Sequence, residues 1–299
     1  MPELPEVENL RLGLERAILG QKIKNVEVRK PKLVFGKGTL RLPSSKKKNE
    51  FEIEISGEKF VAIERRAKNL IFRLSHDKII LAHLKMSGQF VYKPKGENYS
   101  VTGGHPIEIS EKELPNKHTH IIFELDKGIL YYNDTRMFGY VLYYANAKTF
   151  AKENHFAKYG LEPLDLAFTT EYLFDNLRTK KGKIKAVLME QKIVTGLGNI
   201  YADESLFEAA IRPDRIPSSI SLPEAKKLHK AILRIIKRAI ELGGSSVATY
   251  RLLDETRGNY AREHKVYGKG NHPCINCKTT LIKTIIQGRT TIFCPHCQK

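Results

Sequence analysis

Four cysteines and one proline offer the most definite chemistry in this 299-residue sequence. Cys274-x2-Cys277 and Cys294-x2-Cys297 are separated by 16 residues. That spacing suits a four-thiolate zinc site, because each pair turns tightly enough to offer two sulfurs to one tetrahedral ion. Four thiolates leave no open coordination position, so the expected Zn2+ is structural; free thiols or disulfides in a surface hairpin are the other reading. Between the pairs, Leu281 to Ile286 and Thr290 to Phe293 read as strands around Gln287-Gly288-Arg289, which puts Arg289 at a hairpin tip. An arginine there suits a phosphate contact, and equally an ordinary solvated turn. At the other end, Met before Pro is readily removed, leaving Pro2 with a free secondary amine beside Glu3 and Glu6. A terminal amine titrates near pH 8 and a lysine near 10.4, so at neutral pH roughly a tenth of the former is a free nucleophile, against well under one percent of the latter. Attack by a secondary amine on a sugar C1′ gives an iminium whose positive charge needs no proton, an electron sink for elimination. Glu3 and Glu6 share one helix face, where one could protonate the sugar ring oxygen and the other orient the complex. Taken alone, the two glutamates read as complements to a helix dipole.

These residues need elements to position them. Val7, Leu10, Leu14 and Ala17 with Ile18 recur at helical spacing and Gly20 supplies a stop, so the chain opens on an amphipathic helix. Eight short alternating runs come next: Ile23 to Val28, Phe51 to Ile55, Phe60 to Ile63, Leu70 to Leu74, Lys78 to Leu84, His120 to Leu125, Ile129 to Tyr132 and Tyr140 to Tyr144. They suggest a β-sandwich, with long loops over Gly36 to Asn49 and Lys93 to Lys117. Near Tyr159 to Pro163 the strand pattern stops. Helical periodicity then marks Thr170 to Leu177, Lys183 to Met189, Asn199 to Ala209 and Pro223 to Leu242. The segment from Gly258 carries seven lysines and arginines against one acid, Glu263, together with all four cysteines. The expected division is therefore 1–160, 161–257 and 258–299.

A formal net charge of +18 argues for a polyanionic partner, nucleic acid before membrane surface. No apolar run approaches the length of a membrane span, and MPELPEVE is acidic where a secretion signal would be basic. A soluble, unexported protein in a reducing compartment is expected, since disulfide frameworks usually spread cysteines through a small secreted domain.

Several segments in order resemble the formamidopyrimidine-DNA glycosylase family: Pro2-Glu3-Leu4-Pro5-Glu6-Val7-Glu8, Arg65-Arg66-Ala67-Lys68, His83-Leu84-Lys85-Met86-Ser87-Gly88 and Asn133-Asp134-Thr135-Arg136-Met137-Phe138-Gly139. The series continues with Glu162-Pro163-Leu164, Gly196-Leu197-Gly198-Asn199-Ile200-Tyr201-Ala202-Asp203-Glu204, Gly243-Gly244 and the cysteine segment with Gly288-Arg289. The resemblance implies an α+β protein: an N-terminal β-sandwich with flanking helices, a helix-two-turn-helix domain and a C-terminal zinc-finger hairpin, with duplex DNA in the cleft. It implies Pro2 as Schiff-base nucleophile, Glu3 as acid, Lys68 as proton donor for β-elimination and Arg289 for δ-elimination. His83, His118, Arg136, Lys181 and Asn199 match DNA contacts. For Asn199 the residues agree: it follows Gly196-Leu197-Gly198 at a helix start, where backbone N–H groups attract a phosphate. For Lys68, His118 and Lys181 a solvated basic face is the other reading.

Met86, Arg136 and Phe138 match the trio that fills the gap left by an extruded nucleotide; without that match, Met86 and Phe138 would read as core. Thr135, Met137 and Lys85 depart from the family's usual proline, second arginine, and small residue or arginine. Ser245 to Arg262 matches only loosely the loop that covers the everted base. The resemblance as a whole implies a monomeric, cytoplasmic (nucleoid-associated, bacterial-type) enzyme of base excision repair. It would excise 8-oxoguanine and formamidopyrimidines and cleave the strand by β,δ-elimination. An endonuclease VIII-type enzyme for oxidised pyrimidines is the alternative, opposed by Leu4 where that relative has glycine. A non-catalytic zinc-dependent DNA-binding protein is opposed by the intact Pro2, Glu3, Glu6 and Lys68.

Overall fold

The amphipathic opening becomes helix α1, Leu4–Ile18, and the chain then passes into strand β1, Ile23–Val28. The structure, a computed structural model, describes residues 1–37, 41–97, 101–104, 114–245 and 259–299. These fall into two compact units. The first comprises Met1–Pro2, Glu6–His155 and Ser245; the second comprises Glu3–Pro5, 156–244 and Asn259–Lys299.

In the first unit β1 is followed by α2, Ser45–Ile55, then β2, Phe60–Arg66, β3, Asn69–Leu74, β4, Ile79–His83, and β5, Gly88–Pro94. Next come β6, Val101–Gly104, β7, Thr119–Leu125, β8, Gly128–Asp134, β9, Tyr140–Tyr144, and α3, Ala147–Lys152. Two antiparallel sheets result, ordered β1-β7-β8-β5-β6 and β2-β3-β4-β9. Their inner faces meet in one apolar core. Phe72 of one sheet sets its ring edge-on to Phe90 of the other at 5.6 Å, and Phe60 and Tyr132 extend the stack to either side. Such pairs add about 1 kcal/mol beyond the area they bury. Val7, Leu10, Leu14 and Ile18 of α1 join the same core.

Three sequence expectations change here. Phe51 to Ile55, read as a strand, lies in α2. The alternation of Phe51, Ile53 and Ile55 concealed an i,i+4 pair, for Phe51 and Ile55 are buried while Ile53 is 72% exposed. Ser44 caps the helix by accepting from Lys47 N at 3.2 Å, so the stretch read as a loop through Asn49 ends in helix. Second, β5 is not among the eight alternating runs. Its Phe90, Val91 and Tyr92 are buried on both faces, Val91 against Ile122 and Tyr131, which removes the two-residue period. Third, β6 crosses the stretch read as a long loop by pairing with β5. The remainder of that stretch includes residues outside those described.

The second unit packs α4, Thr170–Arg178, α5, Ile184–Met189, α6, Asn199–Glu208, and α7, Leu222–Glu241, around Leu173, Leu188, Tyr201, Leu228 and Ile232. Leu4 belongs to this core. Helix starts carry their caps: Thr169 accepts from Tyr172 N, and Ser221 forms a capping box with Glu224. Strands β10, Ile282–Ile286, and β11, Arg289–Phe293, form a hairpin whose turn residues, Gln287 and Gly288, both have positive φ, as a two-residue turn requires. Arg289 opens β11 directly after the turn, opposite Ile286.

Candidate active site

Glu3 is 3% exposed, and its carboxylate is claimed by the start of α6. It accepts from Gly198 N at 2.7 Å, Ile200 N at 3.0 Å and Tyr201 N at 3.4 Å. At the Gly-Leu-Gly helix start, read as a phosphate site, three of the backbone donors hold Glu3, and the Asn199 N–H is not one of them. Both glycines are explained by the same contact. A Cβ on Gly198 would lie 2.4 Å from the Glu3 carboxyl carbon. Gly196 has φ +83° and accepts from Leu4 N at 3.0 Å, and a side chain there would strike Leu4. The residue next to the proposed nucleophile is thus fixed by a loop 195 positions away in sequence. Asn199 is half-buried, and its amide donates to the Thr290 carbonyl at 3.1 Å.

In the first unit Pro2 is buried, and Glu6, 3% exposed, accepts from Ser245 N at 2.7 Å. The stretch from Ser245 to Arg262, expected to match a base-covering loop only loosely, begins here; residues 246–258 lie outside those described. Lys68 is buried in the two-residue turn joining β2 and β3, where Ala67 takes φ +54°. Arg65 braces that turn. It donates to the Ala67 carbonyl at 2.9 Å and pairs with Glu8 at 2.7 Å. Burial alone would raise the Glu8 carboxyl, but hydrogen bonds from Arg11 and Arg65 hold it below its ordinary value.

His83 ends β4, buried against Tyr140 with ring centroids 5.6 Å apart. Burial, reinforced by Lys85, Lys68 and Lys37, holds its imidazole well below the ordinary value. Nδ1 accepts from Lys85 N at 3.0 Å, so in the neutral ring the proton sits on Nε2. His83 therefore offers an anion a neutral N–H donor rather than a titrating charge. Lys37 and Lys85 stand over the Tyr140 ring at 5.7 and 5.9 Å, and burial lowers both, Lys37 to about 8. His118 is half-buried just before β7.

Met86 is half-buried in the turn before β5, and Phe138 is 36% exposed in the loop after β8. The Arg136 guanidinium, itself exposed, lies 4.7 Å from the Phe138 ring centre. Core packing belongs instead to their neighbour Met137. Lys181 and Arg289 are exposed, the first between α4 and α5, the second at the hairpin.

One set of site residues was not legible. Lys185, fully buried in α5, pairs with Asp203 of α6 at 2.8 Å and donates to Thr291 Oγ1 at 2.7 Å and the Thr290 carbonyl at 3.0 Å. Burial lowers the lysine and raises the carboxyl, and the pair opposes both shifts. Asn199 and Lys185 thus converge on the residue after Arg289. Glu204 accepts from the backbone of Lys265, Val266 and Tyr267 at 2.8 to 3.0 Å, which fixes the approach to the cysteines. The available signal was charge inside apolar helices, in Ile184-Lys185-Ala186-Val187 and Ala202-Asp203-Glu204-Ser205-Leu206.

The four cysteine sulfurs lie within 4.8 Å of one another, Cys274 and Cys294 buried. Pairs at 3.5 and 3.9 Å are far longer than a disulfide and close to the separation set by a tetrahedral ion with ligands at about 2.3 Å. Cys297 N points to Cys294 Sγ at 3.3 Å, a donor that suits a thiolate. The donor set fits one zinc ion.

A β-sandwich, a helical unit and a four-cysteine hairpin, with a buried glutamate after Pro2, match the DNA glycosylases of base excision repair. Residues 1–141 match the formamidopyrimidine-DNA glycosylase N-terminal domain, and residues 159–251 match the formamidopyrimidine-DNA glycosylase H2TH domain. The chain is 40% identical to the formamidopyrimidine-DNA glycosylase of Carboxydothermus hydrogenoformans over 299 residues, covering all of both chains. It is 38% identical to that of Listeria monocytogenes over 300 residues, again covering both fully. Among solved structures, the Lactococcus lactis Fpg complex with abasic-site DNA superposes with a TM-score of 0.84 at 33% identity over 99% of each chain. A complex of a point mutant of the same Lactococcus lactis protein with Fapy-dG-containing DNA gives 0.84 at 34% over all of both chains. The chain belongs to the formamidopyrimidine-DNA glycosylase family.

Proposed function

We propose that this protein excises oxidised purines, 8-oxoguanine and formamidopyrimidines, from duplex DNA and cleaves the strand, with Pro2 as nucleophile. The observation that carries the reading is the clamp on Glu3: an acid directly after Pro2, buried and held by three backbone donors. The Pro2 nitrogen bonds to C1′ as the bond from C1′ to the base breaks. The departing base takes the bonding pair and a proton from water, the N–H proton of Pro2 passes to the Glu3 carboxylate, and Glu3 delivers it to the ring oxygen as the nitrogen lone pair thus freed forms the iminium and the C1′–O bond breaks. Loss of a proton from C2′ then expels the 3′ phosphate, with Lys68 as proton donor, and a second elimination, with Arg289 as donor, expels the 5′ phosphate. Glu6 orients the sugar. His83, His118, Lys181 and Asn199 meet phosphates or sugars, while Met86, Arg136 and Phe138 enter the stack. Cys274, Cys277, Cys294 and Cys297 would hold one zinc ion, which would supply folding energy to the hairpin and leave the chemistry to Pro2 and Glu3.

The chain's functional parts are 1–160 for catalysis, 161–257 for helical DNA binding and 258–299 for the zinc finger. It acts as a monomer in the cytoplasm, on the nucleoid. In support, the relatives are bacterial proteins, and no helix among the described residues is long and apolar enough to cross a membrane. Matched duplexes carrying 8-oxoguanine or thymine glycol test the substrate class. Faster nicking at 8-oxoguanine is expected, and a preference for thymine glycol would overturn the reading.

A further inference from the structure

A fully buried carboxylate, Asp134, is bonded to Arg136 and to the residues that follow Met86 and Phe138, the three proposed wedge residues. Its Oδ1 accepts from Ser87 Oγ at 2.5 Å and from Arg136 N at 3.2 Å; its Oδ2 accepts from Gly139 N at 2.8 Å. Ser87 Oγ in turn accepts from Arg136 N at 3.1 Å. The Asp134 main chain is tied on both sides, its N–H to the His118 carbonyl at 3.0 Å and its carbonyl to His120 Nε2 at 2.7 Å. One side chain therefore closes the loop from 134 to 139 upon itself and joins it to the turn from 84 to 88. That turn is tight, with Gly88 N bonded to the Leu84 carbonyl at 2.8 Å.

The attachments coincide with the wedge. Ser87 comes directly after Met86, Arg136 supplies its own N–H, and Gly139 comes directly after Phe138. Neither glycine tolerates a side chain: a Cβ on Gly139 would lie 1.9 Å from Tyr132 Oη, and one on Gly88 2.5 Å from the Leu84 carbonyl oxygen. Register explains how distant segments meet, because Gly88 pairs with Asp134 at the last rung between β5 and β8. We infer that Ser87 and Asp134 are positioning residues for nucleotide extrusion, holding Met86, Arg136 and Phe138 in one rigid wedge. The physical need is plain. Extrusion costs a few kcal/mol, and ordering a loose loop on binding would add about 1–2 kcal/mol per residue to it. A loop fixed beforehand avoids that addition.

This inference rests on the wedge reading, and one experiment separates the two. Single-turnover excision is measured with the full zinc-loaded protein on 8-oxoguanine in a fully paired duplex and within a three-nucleotide unpaired bubble, where extrusion is nearly free. Ser87→Ala removes one hydroxyl and is expected to slow the paired reaction about tenfold, with less than a twofold change on the bubble. Asp134→Asn should show the same split to a greater degree. A 2-aminopurine beside the lesion should report slower extrusion in both variants. Equal loss on the two substrates, or no loss on the paired duplex, would overturn the proposal. Phe138→Ala identifies which idea failed. If it slows the paired reaction and Ser87→Ala does not, the wedge stands and the brace falls. If Phe138→Ala leaves the paired reaction unchanged, the wedge reading falls and takes the brace with it.

Discussion

In the proposed mechanism the side chain that decides most about the chemistry is Glu3, and backbone N–H groups are among the donors that hold it. Three N–H donors at the start of α6 leave the carboxylate little freedom to turn. Replacing it with glutamine keeps the shape and removes the transferable proton. Base excision by Glu3→Gln should fall roughly 10²–10⁴-fold, while duplex binding holds and an abasic duplex, whose glycosidic bond is already broken, is still cut. Gel-based product analysis on the two substrates checks this; equal loss on both would remove Glu3 as the acid. Which residues matter was partly legible. Pro2 with Glu3 and the cysteine spacing are local patterns, but the Gly198 clamp joins positions 195 apart, and no local signal reveals a donor pointing at a distant carboxylate. Read locally, the helix start therefore suggests a phosphate and gives no sign that three of its donors hold Glu3.

At the scale of elements, legibility tracked periodicity. The four helices of the second unit and seven of the eight runs of the first appear where their apolar spacing places them. The failures are elements whose burial breaks the simple period: α2, where alternation hid an i,i+4 pair, and β5, buried on both faces. The cysteine hairpin depends on metal in a different way. Its apolar contacts are few, Val266, Leu281, Ile292 and Phe207 among them, and its remaining ties are polar: Glu204 to the 265–267 backbone, Gln298 to the Ile211 carbonyl at 2.7 Å and Cys294 N to Gln298 Oε1 at 2.8 Å. Small modules of this kind draw folding energy from their ion. Cys294→Ser should release zinc and weaken duplex affinity while near-ultraviolet circular dichroism of the tyrosine-rich β-sandwich is retained. Unchanged affinity in the metal-free protein would show that the hairpin does not contribute to binding.

Over the whole molecule, buried titratable groups pull stability in two directions as pH falls. His83, His120 and His264 are all depressed by burial, His264 to about 4 between Tyr260 and Tyr267. An unfolded chain takes up these protons near pH 6.5 and the fold does not, so their contribution is complete above about 6.5 and is lost as pH falls toward the folded values. Asp203, raised by burial to about 7, acts oppositely: below that pH the fold binds a proton that the unfolded chain refuses until about 3.8. The histidine effect is isolated by comparing wild type with His264→Gln in urea. From pH 7.5 to 5 the wild type should lose roughly 2 kcal/mol relative to the variant. A pH-independent gap would mean that the imidazole protonates freely in the fold.

The central claim is that the amine of Pro2 forms the covalent bond to DNA, and borohydride trapping with mass mapping of the adduct tests it most directly. Reduction during turnover on an 8-oxoguanine duplex should capture an adduct on the first peptide of the chain, with Met1 absent. Trapping should fall in Pro2→Gly and vanish when an added residue moves the reactive nitrogen away from Glu3 and Glu6. An adduct that maps to Lys68, or trapping that persists undiminished after the amine is blocked, would contradict the account and make a lysine the nucleophile.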